Sequence, residues 1–393
     1  SGIMAARGGG YKAPAGGAVV MRPNGEIVGL ASYPSYNPAK LADGITLKEW
    51  NALGHKTPND HDDDALLDRA IQSATPPGST FKAVTAGAAM AHGVASPYTF
   101  LPCPGSITRG GTTFPNWTSA NFGSIGFARS LEISCDTFYY ELGWRLEQRY
   151  GPYGDETERF QDYMRLTGFG HDTGIDLPYE QDGLVPDQEW CEYMYDQTRT
   201  ERHPTCEQGW LPGYTVNMAI GQGDLLVTPL QMAVAYAAVA NGGKVVEPRV
   251  AMEFRRTDEK GDAKVVRKVE PKVRARLPLD ETELGVIRQG LVDVVSSGGG
   301  TAAPAFAGFP MGSFPVAGKT GTAQIGSADS GLNYAWFTSY APATHPRYVV
   351  AVYLEKAGHG GESAAPVARQ ILEGIFNIDK KAAEVHLGED DSG

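Results

Sequence analysis

The strand-forming segments of this chain gather at its two ends, and that separation constrains the fold more than any other feature. Residues 18–21 and 26–31 are short apolar runs on either side of Pro23-Asn24-Gly25, and Asn-Gly between such runs predicts a tight antiparallel hairpin. Three further strand-like runs, 316–325, 334–340 and 347–354, come in the last third and are followed by a helical pattern over 364–375. The middle reads as mostly helical. It offers 65–94 with an interruption at Thr75-Pro76-Pro77-Gly78, 127–146 with Leu131, Phe138, Leu142 and Leu146 at helical spacing, 228–239 ending at Asn241-Gly242-Gly243, and 280–295 after a charged hairpin. Residues 150–213 are polar, aromatic and irregular and read as loops with short helices that wall a groove. A sheet built from both chain ends around a helical middle implies an α/β architecture. We expect one five-stranded antiparallel sheet flanked by helices, plus an all-helical lobe, with the chemistry in the cleft between them.

Residues 1–17, rich in Gly and Ala, read as a flexible linker or a cloning remnant, 18–378 as the folded unit, and 379–393, with Glu389-Asp390-Asp391, as a disordered acidic tail. With 393 residues, 41% of them hydrophobic, the chain has material for one large core or two lobes sharing an interface. The 34 Lys and Arg are outnumbered by 46 Asp and Glu, a formal charge of −12 that argues against a nucleic-acid partner, because phosphate binding relies on clustered cations. No apolar run approaches the ~20 residues a membrane helix needs. None of Cys103, Cys135, Cys191 and Cys206 forms a C-x-x-C pair, so no zinc knuckle is expected. Cys191 and Cys206 share one polar stretch where an oxidising compartment would let them pair, whereas Cys135, in an apolar helical pattern, reads as a buried free thiol.

Three short motifs carry chemistry. Ser79-Thr80-Phe81-Lys82 follows the Pro-Pro-Gly turn at an expected helix start, and residues three apart on a helix share a face, so the Lys82 amine can reach the Ser79 hydroxyl. A serine needs a base to become a nucleophile, and a lysine serves only if burial or a nearby cation lowers its pKa; Lys319 is the candidate cation. Lys319-Thr320-Gly321-Thr322 lies on a strand-like segment, where a glycine marks a site of close approach. On an edge strand facing the cleft, Lys319, Thr320 and Thr322 are suited to bind a carboxylate, and the Thr322 N–H to join that of Ser79 in an oxyanion hole. For a third element, Ser-x-Asn or Ser-x-Asp, three stretches match: Ser119-Ala120-Asn121, Ser134-Cys135-Asp136 and Ser327-Ala328-Asp329. Ser134 is preferred for its apolar helical setting, with Ser119 next.

Together, Ser-x-x-Lys, Ser-x-Asn and Lys-Thr-Gly are the signature of penicillin-binding proteins and class A β-lactamases. Over residues 16–375 the chain resembles the class B, elongation-type penicillin-binding transpeptidases. The likeness lies in Leu67-Asp68-Arg69-Ala70, Cys103-Pro104-Gly105, the stretch from Ser134 to Tyr140, Ile220-Gly221-Gln222-Gly223, Thr228-Pro229-Leu230-Gln231, Lys319 to Gln324 and Ala335-Trp336-Phe337. The resemblance implies the penicillin-binding, serine β-lactamase-like fold and a D,D-transpeptidase of peptidoglycan. In such an enzyme Ser79 is the nucleophile acylated by a stem peptide ending in D-Ala-D-Ala, and Lys82 is the general base. Ser134 relays a proton to the leaving amine, and Asp136, in a place often held by Asn, orients Lys82. Lys319, Thr320, Gly321 and Thr322 bind substrate. It further implies acylation by β-lactams, the cell-wall elongation machinery as partner, and a place on the outer face of the bacterial cell membrane, held by a segment outside these residues. No metal or cofactor is expected.

Other features carry less. Residues 60–64 read as a solvated acidic loop rather than a metal site, and Gly221-Gln222-Gly223 lacks the third glycine of a dinucleotide fingerprint. His359, among glycines, reads either as a cleft-rim residue or as one of the many lone histidines that are structural or exposed, and Trp336 reads as packing under the sheet rather than stacking on substrate. A β-lactamase or carboxypeptidase would use the same nucleophile, but no Glu-x-x-Leu-Asn segment supplies a deacylating glutamate. A β-lactam-sensing receptor without turnover would keep every motif residue.

Overall fold

A computed structural model describes residues 2–42, 44–54, 64–150, 159–197, 206, 209–258, 261–325 and 332–378. Five strands form the central sheet: β1 (Gly16–Met21), β2 (Ile27–Tyr33), β3 (Ala317–Gln324), β4 (Asn333–Ala341) and β5 (Tyr348–Leu354). Every pairing is antiparallel and the order is β3-β4-β5-β1-β2, so the last strand of the chain lies against the first. The β1–β2 turn needs its glycine. Gly25 has φ +91°, and a Cβ there would lie 2.3 Å from Glu247 O.

The central strand shows why the sheet is covered on both sides. All seven residues of β5 are buried and, because side chains alternate, Val349, Ala351 and Tyr353 enter one core while Val350, Val352 and Leu354 enter another. Helix α7 (Ala364–Phe376) closes the second core with Ala364, Ala365, Ala368 and Leu372. The first core is filled by α5 (Pro229–Ala240), in which all twelve residues are buried. An all-round apolar helix has no solvated face to offer and sits inside. Its start is set locally: Thr228 Oγ1 accepts from Gln231 N–H at 3.2 Å, Gln231 Oε1 accepts from Thr228 N–H at 3.0 Å, and Pro229 occupies the first turn. The same core continues into a helical lobe of α1 (Lys82–Ala91), α2 (Phe127–Glu132), α3 (Asp136–Tyr150) and α4 (Pro212–Met218), against which α6 (Glu281–Ser296) packs.

Four expectations are corrected. From residue 2 on, the expected flexible linker is instead ordered: Gly2–Gly8 is a helix whose Ile3 and Ala6 are buried, Tyr11 donates to Glu362 Oε2 at 2.6 Å, and Gly16 and Gly17 open β1. Residues 65–74 are turns, because Arg69 is wholly buried to meet Glu355 Oε1 at 2.7 Å and Thr75 exchanges both backbone hydrogen bonds with Val227. The helix expected over 127–146 is two helices, α2 and α3, broken at Ser134, whose φ is +56°. Cys135 is not a free thiol but is bonded to Cys103; the second disulfide, Cys191–Cys206, is the pairing anticipated. The expected tail over 379–393 lies outside the described residues.

Candidate active site

The Pro76-Pro77-Gly78 turn does not open an α-helix at Ser79. Gly78–Phe81 is a short 3₁₀ turn, and α1 begins at Lys82, whose N–H donates to Ser79 O. Thr80 Oγ1 donates to Pro77 O at 2.7 Å and closes the turn. Ser79 is partly exposed and lines a groove of about 1200 Å³, together with Ser134, Asp136, Thr320 and Thr322.

Lys82 is wholly buried and its amine has three acceptors: Asp136 Oδ1 at 2.6 Å, Ser134 O at 2.7 Å and Ser134 Oγ at 3.0 Å. The left-handed backbone at Ser134 is what turns both its carbonyl and its hydroxyl toward one nitrogen, an arrangement a continuous helix would forbid. Burial pushes the Lys82 pKa below its usual value, and the Asp136 charge and hydrogen bond partly restore it. Of the three acceptors only the Ser134 hydroxyl can also donate, so it alone can bond the lone pair of a neutral Lys82 amine, whose two remaining N–H groups stay available to the other acceptors. Asp136 is held in turn: its Oδ2 accepts from Trp117 N–H at 2.9 Å, and its own N–H donates to Asn116 Oδ1 at 3.0 Å.

Strand β3 is the expected edge strand, paired only with β4. Ile325 N–H donates to Leu332 O just beyond the β3–β4 register, so by alternation Thr320 and Thr322 direct their backbone groups toward the free edge. The Ser79 turn lies against that edge at the limit of contact. A Cβ on Gly78 (φ +54°) would sit 2.7 Å from Thr322 O, and one on Gly321 would sit 2.6 Å from Pro77 O. The close approach anticipated at Gly321 is thus made by the turn that carries Ser79. Lys319 is wholly buried, and among the described residues its Nζ donates to Thr320 O at 3.1 Å. Its pKa lies well below the usual value, first through burial and then through the Lys82 charge, with Asp136 opposing. The repulsion between the two ammonium groups is mutual, so a positive charge on either lysine disfavours one on the other.

A family profile described as "Penicillin binding protein transpeptidase domain" matches residues 16–373. The chain belongs to the penicillin-binding protein transpeptidase family. It is 32% identical over 363 residues to the peptidoglycan D,D-transpeptidase MrdA of Acinetobacter baumannii, an alignment covering 89% of this chain and 48% of that one. The transpeptidase domain therefore spans about half the length of that curated relative. Two solved structures share its fold. One is PBP2 of Helicobacter pylori in complex with MreC, with a TM-score of 0.72, 27% identity and coverage of 92% of this chain and 60% of that one. The other is a ceftriaxone acyl-enzyme complex of penicillin-binding protein A from M. tuberculosis, with a TM-score of 0.70, 25% identity and coverage of 95% and 77%.

In this transpeptidase domain Ser134-Cys135-Asp136 is the third motif brought to Lys82, while Ser119 and Asn121 lie exposed in a loop and Ser327 falls outside the described residues. His359 lines the groove, the first of its two readings, and Trp336 is buried beneath the sheet against Tyr353, as read from the sequence. Of residues 60–64 only Asp64 is described. Two residues were missed. Asn116 has no local motif, since its role arises from contact with a helix start twenty positions on. Gln222, which the sequence places in a stretch of family resemblance without giving it a role, donates through Nε2 to Thr322 O at 3.3 Å, while Gly221 O accepts from Gly78 N–H at 2.9 Å. The two glycines flanking a polar residue were the available signal, and both have positive φ in the structure.

Proposed function

We propose that this domain is a serine D,D-transpeptidase that cross-links peptidoglycan stem peptides through an acyl-enzyme on Ser79. The observation that carries the reading is the buried Lys82 amine, one turn after a groove-lining serine and held between Ser134 and Asp136. Neutral Lys82 takes the Ser79 proton as Oγ attacks the carbonyl of the penultimate D-alanine. The charge on that oxygen is met by the N–H groups of Ser79 and Thr322, each such donor contributing about 3 kcal/mol. The peptide bond to the last D-alanine then breaks, and its nitrogen takes a proton from Lys82 through Ser134 Oγ. An amine of a neighbouring stem attacks the ester, and its proton returns by the same route to Ser79. Lys319, Thr320 and Thr322 hold the substrate carboxylate, and Gly321 leaves room for the Ser79 turn.

β-Lactams would be trapped on Ser79, as the ceftriaxone acyl-enzyme of the M. tuberculosis neighbour supports. The name of the A. baumannii relative supports peptidoglycan as substrate, and the MreC complex of the H. pylori neighbour supports elongation machinery as partner. No helix among the described residues is long and apolar enough to cross a membrane, and the proposed site of action, the outer face of the bacterial membrane, rests on an anchor outside these residues. Intact-mass measurement after benzylpenicillin should show one stable adduct that Ser79→Ala abolishes. Transfer of a stem peptide onto an acceptor amine then separates an enzyme from a receptor. Rapid penicillin turnover without a lasting adduct would refute the reading.

A further inference from the structure

We propose that the Cys103–Cys135 disulfide and Asn116 form a clamp that positions Ser134 and Asp136 on the Lys82 amine. The inference rests on the acyl-transfer reading and adds to it positioning residues that touch no reacting atom. Cys135 is the residue between Ser134 and Asp136, so whatever holds it holds both partners of Lys82. Its sulfur is bonded to Cys103, with the two Cα atoms 6.3 Å apart and both residues wholly buried.

Asn116 ties the bridge to the carboxylate. Its Nδ2 donates to Pro104 O at 3.2 Å and lies 3.6 Å from Cys103 Sγ and 3.9 Å from Cys135 Sγ. Its Oδ1 accepts both Asp136 N–H and Trp117 N–H at 3.0 Å, and Trp117 N–H also reaches Asp136 Oδ2 at 2.9 Å. Thr137 Oγ1, one residue further, donates to the same Pro104 O at 3.1 Å. The loop at Cys103 is itself anchored: Cys103 N–H donates to Gly123 O, and Phe122 N–H to Cys103 O.

The reason such a clamp is needed is the backbone it restrains. Ser134 sits in the left-handed region with a side chain that does not favour it, between two helices that by sequence pattern would run together. Left to local preference, the segment would rewind, and Ser134 Oγ and O would turn away from Lys82. A covalent bond at the next residue blocks that rewinding. A buried disulfide elsewhere in the lobe would stabilise the fold equally well, but it would not set these two distances.

The test compares the unaltered domain with a Cys103→Ala/Cys135→Ala double variant, using a fluorescent penicillin and a titration of active sites. The limiting acylation rate constant per active site should fall about tenfold or more while the dissociation constant of the noncovalent complex stays within about twofold. The pH dependence adds a readout that a purely structural role would not move. Lys82 faces Asp136, Lys319 and the ring of Tyr139, and Asp136 raises its pKa, so a retreating carboxylate should move the acid limb of the acylation profile to lower pH. Should the double variant not fold, Asn116→Ala, which keeps the disulfide, should show the same loss and the same shift. Equal rate constants and an unmoved limb in whichever variant folds overturn the clamp alone. Absence of any Ser79 adduct on the unaltered protein overturns the acyl-transfer reading and the clamp with it.

Discussion

Gly321→Ala isolates the contact on which the two lobes meet at the site. A Cβ at Gly321 would lie 2.6 Å from Pro77 O, 2.9 Å from Thr80 Cγ2 and 3.1 Å from Thr80 N, all in the turn that carries Ser79. Ordinary carbon-to-oxygen contacts begin near 3.3 Å, so the turn and the strand must part by about 0.7 Å. Neither side is a flexible side-chain end. One is backbone inside a sheet and the other backbone inside a hydrogen-bonded turn, so the displacement passes to Ser79 Oγ and its N–H. Forced overpacking of this kind costs about 1–3 kcal/mol, which a domain of this size should survive. Misplacement approaching 1 Å costs about a hundredfold in rate. We therefore expect Gly321→Ala to fold, to melt somewhat lower, and to acylate between about ten and a hundred times more slowly with a fluorescent penicillin under stopped flow. Gly285→Ala is the control, since nothing lies within 4 Å of a Cβ at Gly285, in the middle of α6; it should gain up to about 1 kcal/mol and acylate normally. Wild-type acylation by Gly321→Ala would show that the turn and strand are not in register-setting contact, and the argument for a shared oxyanion hole would fail with it.

Asp136→Asn should move the acid limb of the acylation profile to lower pH, because the carboxylate that raises the Lys82 pKa is removed; a limb moving upward would contradict the assignment. Lys319→Met should abolish most activity and yet raise stability by about 1–4 kcal/mol at neutral pH, measured by chemical denaturation. The sign follows from a folded-state pKa lowered below the unfolded value: that penalty is absent above the unfolded pKa and grows as pH falls toward the folded one. Arg69→Met should cost about 3–5 kcal/mol, since it strands Glu355 in the interior. Its acylation rate constant per folded molecule should stay near that of the unaltered domain, which active-site titration will show.

What the sequence made legible was whatever it encodes over a few neighbouring residues. The Asn24-Gly25 hairpin, the unbroken apolar run of β5 and the Thr228-Pro229-Gln231 helix start are local signals, and each element appears within two residues of its expected bounds. The turn at Ser79-Thr80-Phe81-Lys82 and the edge strand were legible for the same reason. The misses share the opposite property. Nothing in residues 127–146 marks a helix break, with neither Gly nor Pro near Ser134. The break is set by Lys82, fifty-two positions away, and by a sulfur bond to Cys103. Likewise, 65–74 gives up a helical pattern to bury Arg69 against Glu355, and the Gly- and Ala-rich start is ordered by the sheet and α7, not by its own propensity. Local preference lost where a distant partner, whether a buried charge, a sulfur or an apolar surface, set the backbone instead.

The buried charges also constrain how the base becomes available. Lys82, Lys319 and Asp136 are two amines and one carboxylate shielded from water, and the cluster is neutral when one amine has lost its proton. Without a bound anion that proton is more cheaply removed from Lys319, which among the described residues lacks the direct carboxylate contact Lys82 enjoys. A substrate carboxylate arriving at Lys319, Thr320 and Thr322 reverses the balance: it holds a proton on Lys319, and the neighbouring positive charge then drives the proton from Lys82. On the proposed mechanism the ligand would thus arm the base that frees Ser79 to attack it. The expected consequence is measurable. A penicillin and its decarboxylated or methyl-ester analogue should differ in the limiting acylation rate constant and not only in binding, with the acid limb of the profile displaced to higher pH for the uncharged ligand. Identical limbs for the charged and uncharged ligands would mean that Lys82 is already neutral in the resting groove, and that the carboxylate contributes affinity alone.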